Sequence, residues 1–111
     1  MSSQSPRQWL EQAGAAERRG ERAEALAVIA QAVADHPGDA ALINDAGSLA
    51  QRLGEYALAE ARFAAALALA PDNTDFAINR AIAVTALGRP REAVQILHPF
   101  ETSGKRIARY W

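Results

Sequence analysis

Residues 40–73 are AALINDAGSLAQRLGEYALAEARFAAALALAPDN, and this stretch of 34 residues decides the fold. It holds two apolar helical segments that are separated at Gly54 and closed by Pro71. The same plan recurs on both sides with a step of 34 residues. The residues that keep this step are Gly20, Gly54 and Gly88; Pro37 and Pro71; Ala25, Ala59 and Ala93; Ala32 and Ala66; and Ala13, Gly47 and Ala81. Such a period indicates helix–turn–helix units that must stack on one another to bury their apolar faces.

The composition agrees with this pattern. Of the 111 residues, 50% are hydrophobic but only 6% are aromatic, because alanine supplies most of the apolar content. Alanine is the strongest helix former and lets helices approach closely. The length suits one domain with a core of its own. The sequence therefore predicts a single all-α domain over residues 1–111.

Charge and cysteine content exclude several classes of function. The net charge is −1, and no basic stripe of the kind that contacts phosphates is present, so nucleic acid is not an expected partner. Without cysteine there are no disulfides and no thiolate metal sites. The longest apolar run, residues 63–70, is far too short to span a membrane. We expect a soluble cytoplasmic protein with no membrane partner.

Helix boundaries follow from local signals. Ser5, Pro6 and Gln8 form a capping box at the start of the first helix, and glycine one step before each second helix predicts a left-handed stop. Asp72 or Asn73 caps the fifth helix. The predicted helices cover about residues 6–19, 22–35, 40–53, 56–69 and 74–87, with a sixth that starts at Pro90 and is cut short before Pro99, whose ring would clash with the preceding turn.

The three units resemble the tetratricopeptide repeat family, whose motif has 34 residues with small residues at fixed helix contacts, a glycine at the turn and a closing proline. The second unit matches with Gly47, Gly54, Tyr56, Ala59, Phe63, Ala66 and Pro71, and the first with Trp9, Ala13, Gly20, Ala25, Ala32 and Pro37. In the third unit, Pro99 and Phe100 depart from the pattern. The resemblance implies a right-handed α-solenoid of three hairpins, with repeats at about residues 6–39, 40–73 and 74–101 and a tail at 102–111.

The resemblance also implies a binding surface. In this family the first helix of each unit, the A helix, lines a concave groove that holds a partner peptide or helix. The groove residues carried over are Arg18 from the first unit; Asn44, Asp45, Ser48, Gln51 and Arg52 from the second; and Asn79, Ile82 and Thr85 from the third, beside Leu10, Gly14, Glu17, Ala41 and Ile78. Amides and arginines suit an extended peptide, although a solvated helix face would have the same composition.

One class of peptide is argued against. Family members that hold the acidic tails of heat-shock chaperones have basic residues where this chain has Leu10, Asp75 and Asn79. Because Asp75 would repel an acidic tail, we expect no binding of that kind.

Catalytic constellations are absent from the sequence. His36 and His98 each precede a proline at a helix end, and neither has a histidine or carboxylate at the spacing of a helical metal site. The remaining acidic candidates, Glu55, Glu60, Glu92 and Glu101, have the pattern of solvated surface charges. We expect a protein that is not an enzyme and has no cofactor and no metal.

Arg80 occupies a position that is usually apolar in the family. Its stem could lie along the core while the guanidinium stays in water, or it could pair with Asp75 or Glu92.

The end of the chain leaves two alternatives open. Trp111 stands one repeat position from where Trp9 stands in the first unit, so residues 102–111 either begin a fourth A helix of a longer protein or form a short capping helix. An apolar end made of Val94, Leu97, Phe100, Ile107 and Trp111 predicts a homodimer. The predicted function is a protein–protein interaction scaffold. The alternative is the N-terminal repeat region of a larger bacterial enzyme, resembling sulfotransferases or glycosyltransferases, whose catalytic part lies beyond residue 111.

Overall fold

Six helices and no strand make up residues 4–101, the part of the chain that the computed structural model describes. The helices are α1 Pro6–Arg18, α2 Arg22–Asp35, α3 Ala40–Arg52, α4 Tyr56–Leu69, α5 Thr74–Ala86 and α6 Pro90–Glu101. They pair as the hairpins α1–α2, α3–α4 and α5–α6, and α1, α3 and α5 contact one another in series. The predicted all-α solenoid is confirmed. No helix in this part of the chain is long and apolar enough to cross a membrane.

Each A helix begins with a side-chain cap. Ser5 accepts a hydrogen bond from the Gln8 amide while the Gln8 side chain accepts one from the Ser5 amide, which is the predicted capping box. Asp39 caps α3 and Asn73 caps α5, each accepting at 3.0 Å from the amide three residues on. Of the two residues considered for the third unit, Asn73 is the cap.

Each A helix ends in the same left-handed turn. Gly20, Gly54 and Gly88 have φ of 75°, 80° and 81°, values that strongly favour glycine. The amide after each glycine donates back into the last helical turn, as from Glu21 to the Ala16 carbonyl at 2.9 Å. This pair of bonds is the Schellman motif, and it turns the chain into the next helix within three residues.

Small residues fill the hairpin contacts, as predicted. Ala13 and Ala25 are buried together in the first hairpin, and Ala81 and Ala93 in the third. In the second hairpin the side chain nearest to Gly47 is the ring of Phe63: a Cβ on Gly47 would lie 2.6 Å from its Cε1. The glycine therefore makes room for an aromatic ring, a contact that the sequence pattern did not specify.

The last helix is longer than predicted. We expected Pro99 to end it, but α6 runs through Pro99 to Glu101. Pro99 lies in the final turn, and Phe100, only 8% exposed, packs with Leu97 and Val84. Burial of an aromatic side chain contributes about 1.5–3 kcal/mol, which offsets much of the cost of a proline in a helix.

This burial also changes the proposed apolar end. Leu97 and Phe100 belong to the core, whereas Val94 is 63% exposed. Ile107 and Trp111, together with the fourth A helix or capping helix considered for residues 102–111, lie outside the described residues. A homodimer stays a prediction.

Arg80 has neither of the partners considered and does not point freely into water. Its Nε donates to Glu60 Oε2 at 3.1 Å, and the two side chains are 28% and 19% exposed. The pair joins α5 to α4. Glu55 and Glu92 also have partners, Arg22 and Arg89. The prediction that these three glutamates are simply solvated was wrong, because stacking brings opposite charges from neighbouring helices or turns within reach.

Candidate binding groove

The residues carried over from the family pattern lie on α1, α3 and α5 and keep access to solvent. Arg18, Asp45, Arg52, Ile82 and Thr85 are exposed, and Asn44, Ser48, Gln51 and Asn79 are half-buried. Ala41 is exposed and Ile82 is 41% exposed, so the six helices do not close into a bundle around them. The three A helices present one continuous accessible face.

Ile78 is an exception. The family pattern placed it in the groove, but it is only 8% exposed and packs in the core of the third hairpin with Leu97 and Phe100. Leu10 and Asn44, which occupy the same repeat position, are half-buried. This position lies at the boundary between groove and core, and a β-branched apolar side chain there turns inward.

Two amides connect α3 and α5 along this face. Asn79 Nδ2 donates to Asn44 Oδ1 at 3.1 Å. The bond uses one donor and one acceptor, so Asn44 Nδ2 and Asn79 Oδ1 keep hydrogen-bonding capacity for another molecule. Thr85 differs, because its hydroxyl donates to the Ala81 carbonyl at 2.8 Å within α5.

A cavity of about 240 Å³ lies between α1 and α3. Its wall is apolar on one side and carries a carboxylate, a hydroxyl and a guanidinium on the other. The lining residues are Leu10, Ala13, Gly14, Asp45, Ser48, Leu49 and Arg52. Three of the predicted groove residues therefore meet at one concave site.

The guanidinium of this cavity is already paired. Arg52 Nε donates to Glu17 Oε2 at 2.9 Å and its Nη2 donates to Oε1 at 3.0 Å, a two-bond arrangement that fixes both side chains. The hydrogen bond from Arg52 is the main cause that lowers the pKa of Glu17. The same bond raises the pKa of Arg52. The positive charge on the cavity wall is thus largely satisfied within the protein.

The carboxylate of Asp45 is in the opposite situation. The residue as a whole is exposed, but partial burial of its carboxyl group raises the pKa, and the charge of Asp39 adds to this effect while Arg52 opposes it. Among residues 4–101, none donates a hydrogen bond to this carboxylate. The cavity therefore presents one partly desolvated negative group without a partner in the described chain.

The pair between Glu17 and Arg52 and the cavity beside it were not foreseen. Glu17 was placed in the groove, but its partner lies 35 residues away on the next A helix. Opposite charges one repeat plus one residue apart are the available signal in the sequence. The histidine outside the groove has a structural contact: His36 Nε2 lies 2.7 Å from the Gln4 carbonyl oxygen. Within the described range, no three acidic or histidine side chains group as metal ligands.

The pair gives a pH-dependent contribution to stability. Glu17→Gln is expected to lower the free energy of unfolding at neutral pH by less than about 1 kcal/mol, since the pair is partly exposed. Folding lowers the pKa of Glu17, so the contribution is present above the ordinary value of 4.5 and is lost as pH falls through the lower pKa of the folded state. Urea unfolding of wild type and variant at neutral pH and well below pH 4.5 checks this.

Glu11→Gln is the matched control for this measurement. The Arg7–Glu11 pair lies within α1, with side chains 88% and 66% exposed, and we expect a smaller effect at neutral pH. A Glu17→Gln effect that persists unchanged in acid would contradict the assignment.

Comparison with known proteins supports the repeat architecture. The family model described as tetratricopeptide repeat matches residues 50–99. No curated protein sequence gives a significant match.

Several solved structures share the fold. The first tetratricopeptide domain of Spaghetti (RPAP3), bound to the HSP90 peptide SRMEEVD, has a TM-score of 0.72 at 24% identity and covers 88% of this chain and 78% of that one. The type III secretion chaperone SycD of Yersinia enterocolitica, in complex with a peptide of the translocator YopD, has a TM-score of 0.72 at 21% identity, with coverages of 87% and 74%. MamA has a TM-score of 0.73 at 19% identity, with coverages of 93% and 58%.

Proposed function

Because this chain is a tetratricopeptide-repeat protein, we propose that it is a protein-interaction module that holds an extended peptide of a protein partner across α1, α3 and α5. The observation that carries the proposal is the row of unsatisfied polar groups on this face. Asn44 and Asn79 hold each other in place by one hydrogen bond and keep a donor and an acceptor free. An extended peptide offers backbone carbonyl and amide groups that would pair with them.

The surroundings of this pair also favour a peptide. The cavity between α1 and α3 gives a peptide side chain a place to enter, next to the polar groups that would bind its backbone. Rigid helices hold both features, which lowers the entropic cost of binding. Two proteins with the same fold, RPAP3 and SycD, are bound to peptides in their structures.

The alternative of a repeat region attached to a sulfotransferase-like or glycosyltransferase-like enzyme finds no support in the solved structures described above.

A groove variant tests the proposal. A random peptide library displayed on phage is selected on the wild-type protein, and enriched peptides are synthesised and titrated by calorimetry. We expect the triple variant Asn44→Ala, Arg52→Ala, Asn79→Ala to bind them at least about tenfold more weakly, because hydrogen bonds contribute about 0.5–1.5 kcal/mol each and a tenfold change corresponds to 1.4 kcal/mol.

The matched control removes the same chemical groups from the B helices. The variant Gln31→Ala, Arg91→Ala, Gln95→Ala also loses two amides and one guanidinium, all at exposed positions of α2 and α6. Its affinity for the selected peptides is expected to equal that of wild type. Selection of no peptide at all, or equal weakening in both triple variants, would count against a groove on the A helices.

A further inference from the structure

We propose that the cavity between α1 and α3 takes one lysine or arginine side chain of the bound peptide, with its aliphatic stem against Leu10 and Leu49 and its charged end at the Asp45 carboxylate. This inference rests on the proposed function and specifies the chemistry of the partner at one site.

The size and wall of the cavity fit one long side chain. A water molecule in the liquid occupies about 30 Å³, so a cavity of about 240 Å³ has room for one extended side chain but not for a helix. Leu10, Ala13 and Leu49 give an apolar wall along which the methylene groups of lysine or arginine can lie. The Ser48 hydroxyl on the opposite wall is a further hydrogen-bond acceptor.

The charges around the cavity favour a cation over an anion. Glu17 and Arg52 satisfy each other through two hydrogen bonds, so an acidic ligand would have to displace Glu17 and then lie beside Asp45. A cation meets the Asp45 carboxylate, which none of residues 4–101 engages by a hydrogen bond. Asp39 adds a second negative charge to the field at Asp45.

One nearby group acts in the opposite sense. Arg18 lies at the rim on the α1 side, with its Nη1 3.4 Å from where a Cβ on Gly14 would be, and it would attract an acidic ligand. This side chain is exposed, so water and salt screen its charge. The Asp45 carboxyl is partly desolvated, where a charge interaction is stronger. The balance at the cavity wall therefore favours a positive side chain.

An apolar side chain fits less well. It would cover the Asp45 carboxylate and remove more of its water without supplying a partner, which is costly for a charged group. A lysine or arginine fills the same space and compensates the charge. This difference separates the proposal from a simple hydrophobic pocket.

A double-mutant cycle with the phage-selected peptides tests the inference. Each lysine or arginine of an enriched peptide is replaced in turn by norleucine, which keeps a straight aliphatic chain and removes the charge. At one position we expect about a tenfold loss of affinity for the wild-type protein, in the lower range of couplings measured for close charge pairs. With Asp45→Asn the same replacement is expected to change affinity by less than about twofold.

The control removes the same charge elsewhere. Asp72 is exposed on the loop between α4 and α5, so Asp72→Asn changes net charge equally without touching the cavity, and it should keep the tenfold discrimination. Circular dichroism melting shows that both variants fold. The HSP90 peptide SRMEEVD serves as an acidic probe, and we expect no micromolar binding.

The outcomes distinguish the two proposals. Peptides that need the Asn44 and Asn79 amides but contain no lysine or arginine, or for which Asp45→Asn and Asp72→Asn behave alike, overturn the cation site alone. Micromolar binding of SRMEEVD that is lost in Arg18→Ala also overturns it. If the library yields no peptide on the wild-type protein, the proposed function fails together with it.

Discussion

Replacing Phe63 by alanine is expected to lower the free energy of unfolding by about 3–5 kcal/mol. Phe63 is 1% exposed and packs with Ala50, Ala59 and Ala83, so its ring joins the second hairpin to α5. The surrounding alanines are too short to fill the space that the ring would leave. Because small domains are stable by about 5–15 kcal/mol, this one change would remove a large part of the total.

Tyr56→Ala is the matched control on the same helix. Tyr56 is 41% exposed, so its truncation should cost much less. Chemical unfolding followed by circular dichroism gives both values. Equal losses for the buried and the exposed ring would show that Phe63 does not organise this core.

Enlarging Gly47 to leucine is expected to destabilise the protein by about 2–3 kcal/mol. A Cβ at this position already lies 2.6 Å from Cε1 and 2.7 Å from Cδ1 of the buried Phe63 ring, so even the first added carbon forces a displacement. Gly38→Leu is the control, since no heavy atom lies within 4 Å of a Cβ added there.

The contact predicts a coupling between the two sites. In a Phe63→Ala background the ring that obstructs the leucine is gone, so Gly47→Leu should cost at least about 1 kcal/mol less than it does in wild type. Additive effects of Gly47→Leu and Phe63→Ala would mean that the leucine is resisted by something other than the ring.

Features set by a few consecutive residues could be predicted from the sequence. The capping box needs only Ser5 and Gln8, and the left-handed turns need only a glycine after the last helical residue. Both depend on hydrogen bonds that close within six residues, so no knowledge of the tertiary structure was required. The small residues at the hairpin contacts were predictable because they recur with the period of the repeat.

Features that depend on how neighbouring helices are placed could not be predicted. Arg80 meets Glu60 on another helix, and Arg52 meets Glu17 on another repeat. Pro99 was judged by the local cost of a proline, whereas burial of the adjacent Phe100 decides the outcome. In each case a contact between distant residues outweighs the local preference.

The candidate groove was predictable as a set of helix faces, though its shape was not. The family pattern selected residues by repeat position, and repeat position fixes a direction only to within part of a turn. That precision suffices for Asn44 and Asn79, which lie on the accessible face, but it misplaced Ile78 at the edge of the core. The cavity depends on Gly14, whose missing side chain no periodicity explains.

The Schellman turns at Gly20, Gly54 and Gly88 have a kinetic consequence. Each turn closes a short loop and brings two consecutive helices together, and most of the packing in this part of the chain joins helices that are neighbours in sequence. Chains whose contacts are mainly local have little loop-closure entropy to overcome, and they fold on the microsecond to millisecond timescale. Nucleation can therefore begin in any of the three hairpins and spread to the adjacent ones, without waiting for distant segments to meet.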